Sequence, residues 1–144
     1  MIHKKVIVAG LAAGVLCHIF QGAAAYLFFD RFYLENPDLI RDSSRLVGFY
    51  YLALNLIVGL VISYLAYYLK SVWKSVDWIA GIRAGMIVWV ASSPVFIIKR
   101  QIIFKLSNWL LLEIAADFLI YIIIGAVAGF LSGRGIVENT KEKP

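Results

Sequence analysis

Six polar side chains inside long, mainly apolar runs are candidates for chemistry: His18, Gln21, Asn55, Ser92, Glu113 and Asp117. Carboxylates and an imidazole can take up and release a proton, and together with amides and hydroxyls they can hold a cation or a small polar solute. Glu113 and Asp117 are one helical turn apart, so on a helix they share a face. Tyr121, Gly125, Gly129 and Gly133 follow at the same four-residue step. One side of this segment is therefore polar at one end and smooth at the other.

Other chemistries have weaker support in these residue types. A zinc or iron site would need His18, Glu113 and Asp117 to converge as ligands, and no local ligand spacing announces one, so no metal is expected. His18 is the single interior imidazole that could serve as a haem axial ligand, and no cofactor is expected either. Cys17 and His18 are sequence neighbours that point in different directions on a helix, which leaves no nucleophile–base pair and no catalytic assignment. Cys17 is the single cysteine, so no disulfide forms within the chain, and its plain role is that of a small packing residue. Glycine-rich phosphate loops are absent, because the Gly–x3–Gly spacings fall inside apolar stretches, where they signal close helix packing.

The segments that must position these groups are long and apolar. The chain has 144 residues, 62% hydrophobic and 16% charged, with a mean hydropathy of +0.82. Its apolar residues gather in four blocks of membrane-spanning length, at about residues 6–29, 46–69, 78–98 and 108–131, each near the roughly 20 residues a bilayer requires. Backbone groups in lipid must be bonded within their own segment, so these blocks predict helices. The alternation of a transmembrane β-barrel does not occur. The fold class expected is an all-α membrane protein of one domain, a bundle of four transmembrane helices. A short interfacial helix is expected at about 37–43, where Asn36–Pro37 combines an N-cap with a proline at the first helical position. A flexible polar tail is expected over about 133–144.

Gly10 and Gly14, Gly81 and Gly85, and Gly125 and Gly129 are the predicted helix-packing positions. Glycine stripes on three spans exceed what one small bundle would bury, so a homo-oligomer is expected. Pro94 predicts a kink in the third span, with Ser92 and Ser93 available to the carbonyl it frees. Basic residues before 6 and Ala23–Ala24–Ala25 would also suit a cleaved leader. The apolar run continues through Tyr26–Phe29, however, and favours a retained first helix. Leu16 occupies the place where a lipoprotein signal needs a small residue before Cys17.

Net charge is +5, but the Lys and Arg residues cluster at span ends, where topology and anionic headgroups account for them better than nucleic acid does. Lys4, Lys5, Lys70, Lys74, Arg83, Arg134, Lys141 and Lys143 fall on one side; Arg31, Arg41, Arg45, Lys99, Arg100 and Lys105 fall on the other. The excess predicts cytoplasmic termini and an inner (cell) membrane location, with the lipid bilayer as partner. Span midpoints fall near Cys17, Ile57, Val88 and Ile120. Measured from them along alternating helices, His18 lies about 1–2 Å, Asn55 about 3 Å, Asp117 about 4–5 Å, Gln21 and Ser92 about 6 Å and Glu113 about 10 Å toward the outside. All six polar groups thus occupy one half of the membrane.

In length, span count and glycine-striped helices the whole chain resembles small prokaryotic four-span membrane proteins of no assigned activity, a resemblance that rests on no motif and transfers no functional residue. Three functions fit the residues. The first is a carrier or channel-like protein with an externally open polar site for a proton, cation or small polar solute. The second is an accessory subunit whose polar groups only pack helices. The third is a membrane enzyme acting on a lipid- or quinone-like substrate.

Overall fold

The computed structural model describes residues 2–29, 45–104 and 110–133. Among the described residues the chain forms four helices and no strand: α1 (Ile2–Ala24), α2 (Arg45–Trp73), α3 (Asp77–Phe104) and α4 (Leu110–Gly133). A π-helical segment, Ala25–Phe29, continues α1. Three stretches are long and apolar enough to cross a membrane: Lys4–Leu27, Gly48–Trp73 and Leu112–Gly133. Large apolar side chains such as Val8, Leu27, Phe49, Leu54, Val90 and Leu119 face outward. A surface this apolar is unusual for a water-soluble monomer. The expected interfacial helix at about 37–43, and all but the first residue of the tail at 133–144, lie outside the described residues.

The helices run further than the apolar blocks predict. α2 continues through Lys70 to Trp73, and α3 continues past Ile98 through Lys99 and Arg100 to Phe104. Basic residues at helix ends do not interrupt backbone hydrogen bonding, so hydropathy marks the edge of the apolar layer rather than the end of the helix. The α2–α3 connection is only Lys74–Ser75–Val76. Lys74 makes the reversal with a φ of 47°, in the left-handed region usual just past a helix end. Pro94 does not end α3. The Ser92 hydroxyl donates to the Val88 carbonyl at 2.7 Å, one turn back on its own helix, rather than to the Val90 carbonyl that lacks a Pro94 N–H.

Two antiparallel pairs make up the bundle, and glycine governs both crossings. In the α1–α2 pair, a Cβ on Gly10 would lie 2.8 Å from the Leu60 Cα, and one on Gly14 would lie 2.6 Å from the Leu56 Cα. Gly59 faces the backbone of Gly10 and Gly14. In the α3–α4 pair Gly81 and Gly85 meet Gly125, Gly129 and the Tyr121 carbonyl. A Cβ on Gly129 would stand 2.8 Å from the Gly81 Cα. Backbones that approach this closely gain dispersion contacts along their length, the main attraction between helices where the surroundings are as apolar as the side chains. Buried alanines (Ala13, Ala66, Ala84, Ala128) fill the narrow centre around Ile62 and Ile124.

The Ser63 hydroxyl donates to the Val6 carbonyl at 2.8 Å and pins the register of the first pair. Gly59, absent from the predicted packing set, is the counterpart of Gly10 and Gly14. Because these glycines find partners within one chain, they do not require a second copy. Gly22 and Gly48, by contrast, have open space beside them.

Substitution separates the two classes of glycine. Gly129→Leu should destabilise the fold by about 3 kcal/mol or more, the upper end of core overpacking, since backbone rather than a movable side chain blocks the site. Gly22→Leu and Leu131→Ala should both be mild. Thermal unfolding in detergent measures this, and equal effects at Gly129 and Gly22 would contradict the assigned crossing.

Candidate functional site

Just beyond each glycine crossing the sequence changes from small to polar, and the antiparallel registers bring these polar groups to one level. Four residues after Gly14, His18 faces Asn55, which precedes Gly59 by four on the opposing helix. Asn55 is buried and uses both ends of its amide. Its carbonyl oxygen accepts from the Cys17 thiol at 3.7 Å, and its Nδ2 lies 3.4 Å from His18 Nδ1. With the carbonyl turned to the thiol, the NH2 group faces Nδ1 of His18. Both contacts are long, as expected of bonds at the weak end of the range.

The second contact joins the two helix pairs. Gln21, one turn beyond Cys17, donates from Nε2 to Asp117 Oδ1 at 3.2 Å, linking α1 to α4. Both residues are half-buried. Among the described residues no cationic side chain forms an ion pair with Asp117, and its hydrogen-bond donor is a neutral amide. One turn below, Tyr121 is buried at the centre of the bundle, with the Ser93 and Ser92 side chains of α3 close by. Cys17 and Asp117 are its other polar neighbours. The layer thus draws Cys17, His18 and Gln21 from α1, Asn55 from α2, Ser92 and Ser93 from α3, and Asp117 and Tyr121 from α4.

Burial varies through this layer. Cys17, Asn55 and Tyr121 are closed off, whereas His18, Gln21, Ser93 and Asp117 are half-buried and Ser92 is exposed. Glu113 lies one turn further along α4, also half-buried, and makes a contact of its own. Beside the layer, Trp89 packs edge-on against Phe118 with ring centroids 4.8 Å apart. Its indole N–H is buried and lacks a hydrogen-bond partner. Four of the six predicted site residues, His18, Asn55, Gln21 and Asp117, are therefore joined pairwise by direct contacts, whereas the Ser92 hydroxyl bonds the Val88 carbonyl of its own helix.

Three participants fall outside the predicted set. Cys17 reads from the sequence as an ordinary small packing residue, Tyr121 as a spacer on the Asp117 face, and Ser93 as a helper of Pro94. The four-residue step from Asp117 to Tyr121 was the signal for the second. No sequence pattern distinguishes Cys17 or Ser93.

A metal ligand set does not form: among the described residues no three His, Cys, Asp or Glu side chains gather closely enough to hold an ion. No protein family, curated protein or solved structure matches the chain.

The Gln21–Asp117 bond should couple the two helix pairs energetically. A double-mutant cycle with Gln21→Leu and Asp117→Leu, read as unfolding free energy in detergent, should give a coupling of about 0.6 kcal/mol, reaching about 1.7 kcal/mol at most. Additive effects within error would show that the two side chains do not interact.

Proposed function

We propose that the chain is a four-span membrane protein, with α3 as its third span and termini on the cytoplasmic side, that admits a cation, a proton or a small polar solute to the layer around Asp117 from the outside. The observation that carries this reading is Asp117 itself: a half-buried carboxylate inside an apolar helix, met by a neutral amide and by no cation among the described residues. A lone carboxylate at such a depth costs at least about 2.5–3.5 kcal/mol near the centre of a membrane span. Water, a proton or a bound cation relieves that cost, and each of them needs access. Uneven burial supports access at Asp117, because Gln21 and Asp117 are half-buried while Tyr121, one turn below Asp117, is buried.

In this reading Asp117 supplies the negative charge, Gln21 orients it, and Tyr121 and Ser93 offer hydroxyl oxygens to whatever the carboxylate holds. Asn55 holds the His18 ring through its Nδ1 edge. Closure at Cys17, Asn55 and Tyr121 would make the layer a dead end from outside in this conformation, as alternating access by a carrier requires of one of its states.

A second reading has its own support. The Cys17–Asn55–His18 chain is satisfied internally, as polar groups are when they serve only to join helices. An accessory membrane subunit would need no more than that.

Asp117→Asn separates the two. It keeps shape and hydrogen bonding while removing the titrating charge. A pH-dependent uptake or binding signal in proteoliposomes should fall at least about tenfold, with the melting temperature nearly unchanged. If Asp117→Asn retains the full signal, the carboxylate is packing material and the accessory reading replaces the transport one.

A further inference from the structure

We propose that the α2–α3 turn carries a binding site for the phosphate of an anionic phospholipid headgroup, formed by Arg83 and Lys74 beside Trp73. The site rests on the membrane reading of the chain and is independent of the polar layer, which lies toward the other end of the bundle.

The antiparallel order of the helices places the start of α1, the end of α2, the start of α3 and the end of α4 together. Lys4 and Lys5 precede Val6, whose carbonyl is tied to Ser63 of α2. Lys70 and Lys74 flank the end of α2, and Arg83 rises from the second turn of α3. Among the described residues the acid at this end is Asp77. It is already committed, since it pairs with Lys70 and lies against Gly133 at the end of α4. No carboxylate among the described residues therefore neutralises Lys4, Lys5, Lys74 or Arg83.

Arg83 is also pre-oriented. Its guanidinium carbon sits over the Trp73 ring, 5.1 Å from the centroid, within cation–π range. That contact holds the guanidinium beside the ring. A guanidinium carries its N–H groups in a planar fork that matches two phosphate oxygens. Lys74 is exposed, and its left-handed backbone turns it out at the tip of the reversal.

Around these cations the surface is apolar rather than polar: Val72, Trp73, Val76 and Trp78 are each about half exposed or more. A free phosphate ion would leave that apron in water. A phospholipid covers it, with the glycerol and upper acyl chain against Trp73 and Trp78 and the phosphate at Arg83. Tryptophan at headgroup level is the common arrangement at such a boundary, and anionic lipid supplies the charge that Asp77 does not.

Native mass spectrometry of the purified full chain in detergent tests this, titrating dioleoylphosphatidylglycerol against dioleoylphosphatidylcholine. The wild type should retain the glycerol lipid preferentially. Arg83→Gln and Lys74→Gln should each weaken that retention roughly fivefold, the worth of one Lys or Arg near an anionic surface, and leave phosphatidylcholine retention unchanged. Arg83→Lys, which keeps charge and loses the fork, should fall between. Equal retention of the two lipids by the wild type would overturn the proposal, as would unchanged retention in Arg83→Gln. Displacement of the lipid by excess inorganic phosphate would overturn the lipid assignment in favour of a free-anion site. Circular dichroism melts confirm that each variant is folded, and Trp73→Leu, which removes the stack without touching charge, should lower the preference as well.

Discussion

Backbone-to-backbone contact at two glycine crossings is the constraint on which everything else in this protein depends. Gly10, Gly14 and Gly59 bring α1 against α2, and Gly81, Gly85, Gly125 and Gly129 bring α3 against α4. At such spacing no side chain separates the helices, so the next turn on each helix meets its counterpart at short range. In both pairs that next turn is polar. His18 and Asn55 follow one crossing; Tyr121 follows the other, with Ser92 and Ser93 one turn further along α3. Loosen either crossing and these groups separate, which would leave amides and hydroxyls without partners in apolar surroundings.

Joining the two pairs places a further demand on the sequence. Cys17 and Gln21 on α1 lie toward α4, and Gln21 reaches Asp117. A neutral amide donates to this side chain, which is a different arrangement from the Lys70–Asp77 ion pair at the other end. The molecule therefore treats its two described intrachain aspartates differently. Asp77 is paired with a cation and packed on Gly133, as a structural contact would be. Asp117 instead accepts from the neutral Gln21 amide.

Much of this was legible in the sequence, for physical reasons. Helix number followed from span length, and the levels at which helices meet followed from a rise of about 1.5 Å per residue. Midpoints at Cys17, Ile57, Val88 and Ile120 put His18 beside Asn55 and Gln21 near Asp117, and the contacts fall at those levels. Glycine spacing located the crossings, although Gly59 stands alone, without a second glycine four residues away, and so escapes a spacing rule. Side-chain direction was not legible. That Asn55 turns its carbonyl to Cys17, that Tyr121 points to α3, and that Arg83 folds back over Trp73 instead of extending outward all depend on azimuth, which hydropathy does not encode. Helix ends were missed for a related reason, since charged residues leave the apolar layer without leaving the helix.

The central claim is that the Asp117 layer is reached by water from one side and closed below. Water-accessible cysteine scanning addresses it most directly. In a Cys17→Ser background, Gln21→Cys, Asn55→Cys and Tyr121→Cys are each treated with a small, charged methanethiosulfonate reagent on intact cells and on inverted vesicles. The account predicts rapid modification at position 21 from outside only, and protection at positions 55 and 121 from both sides. Protection at all three positions would mean a dry, closed core and would contradict the claim; modification at position 121 from the inner side would invert the direction of access.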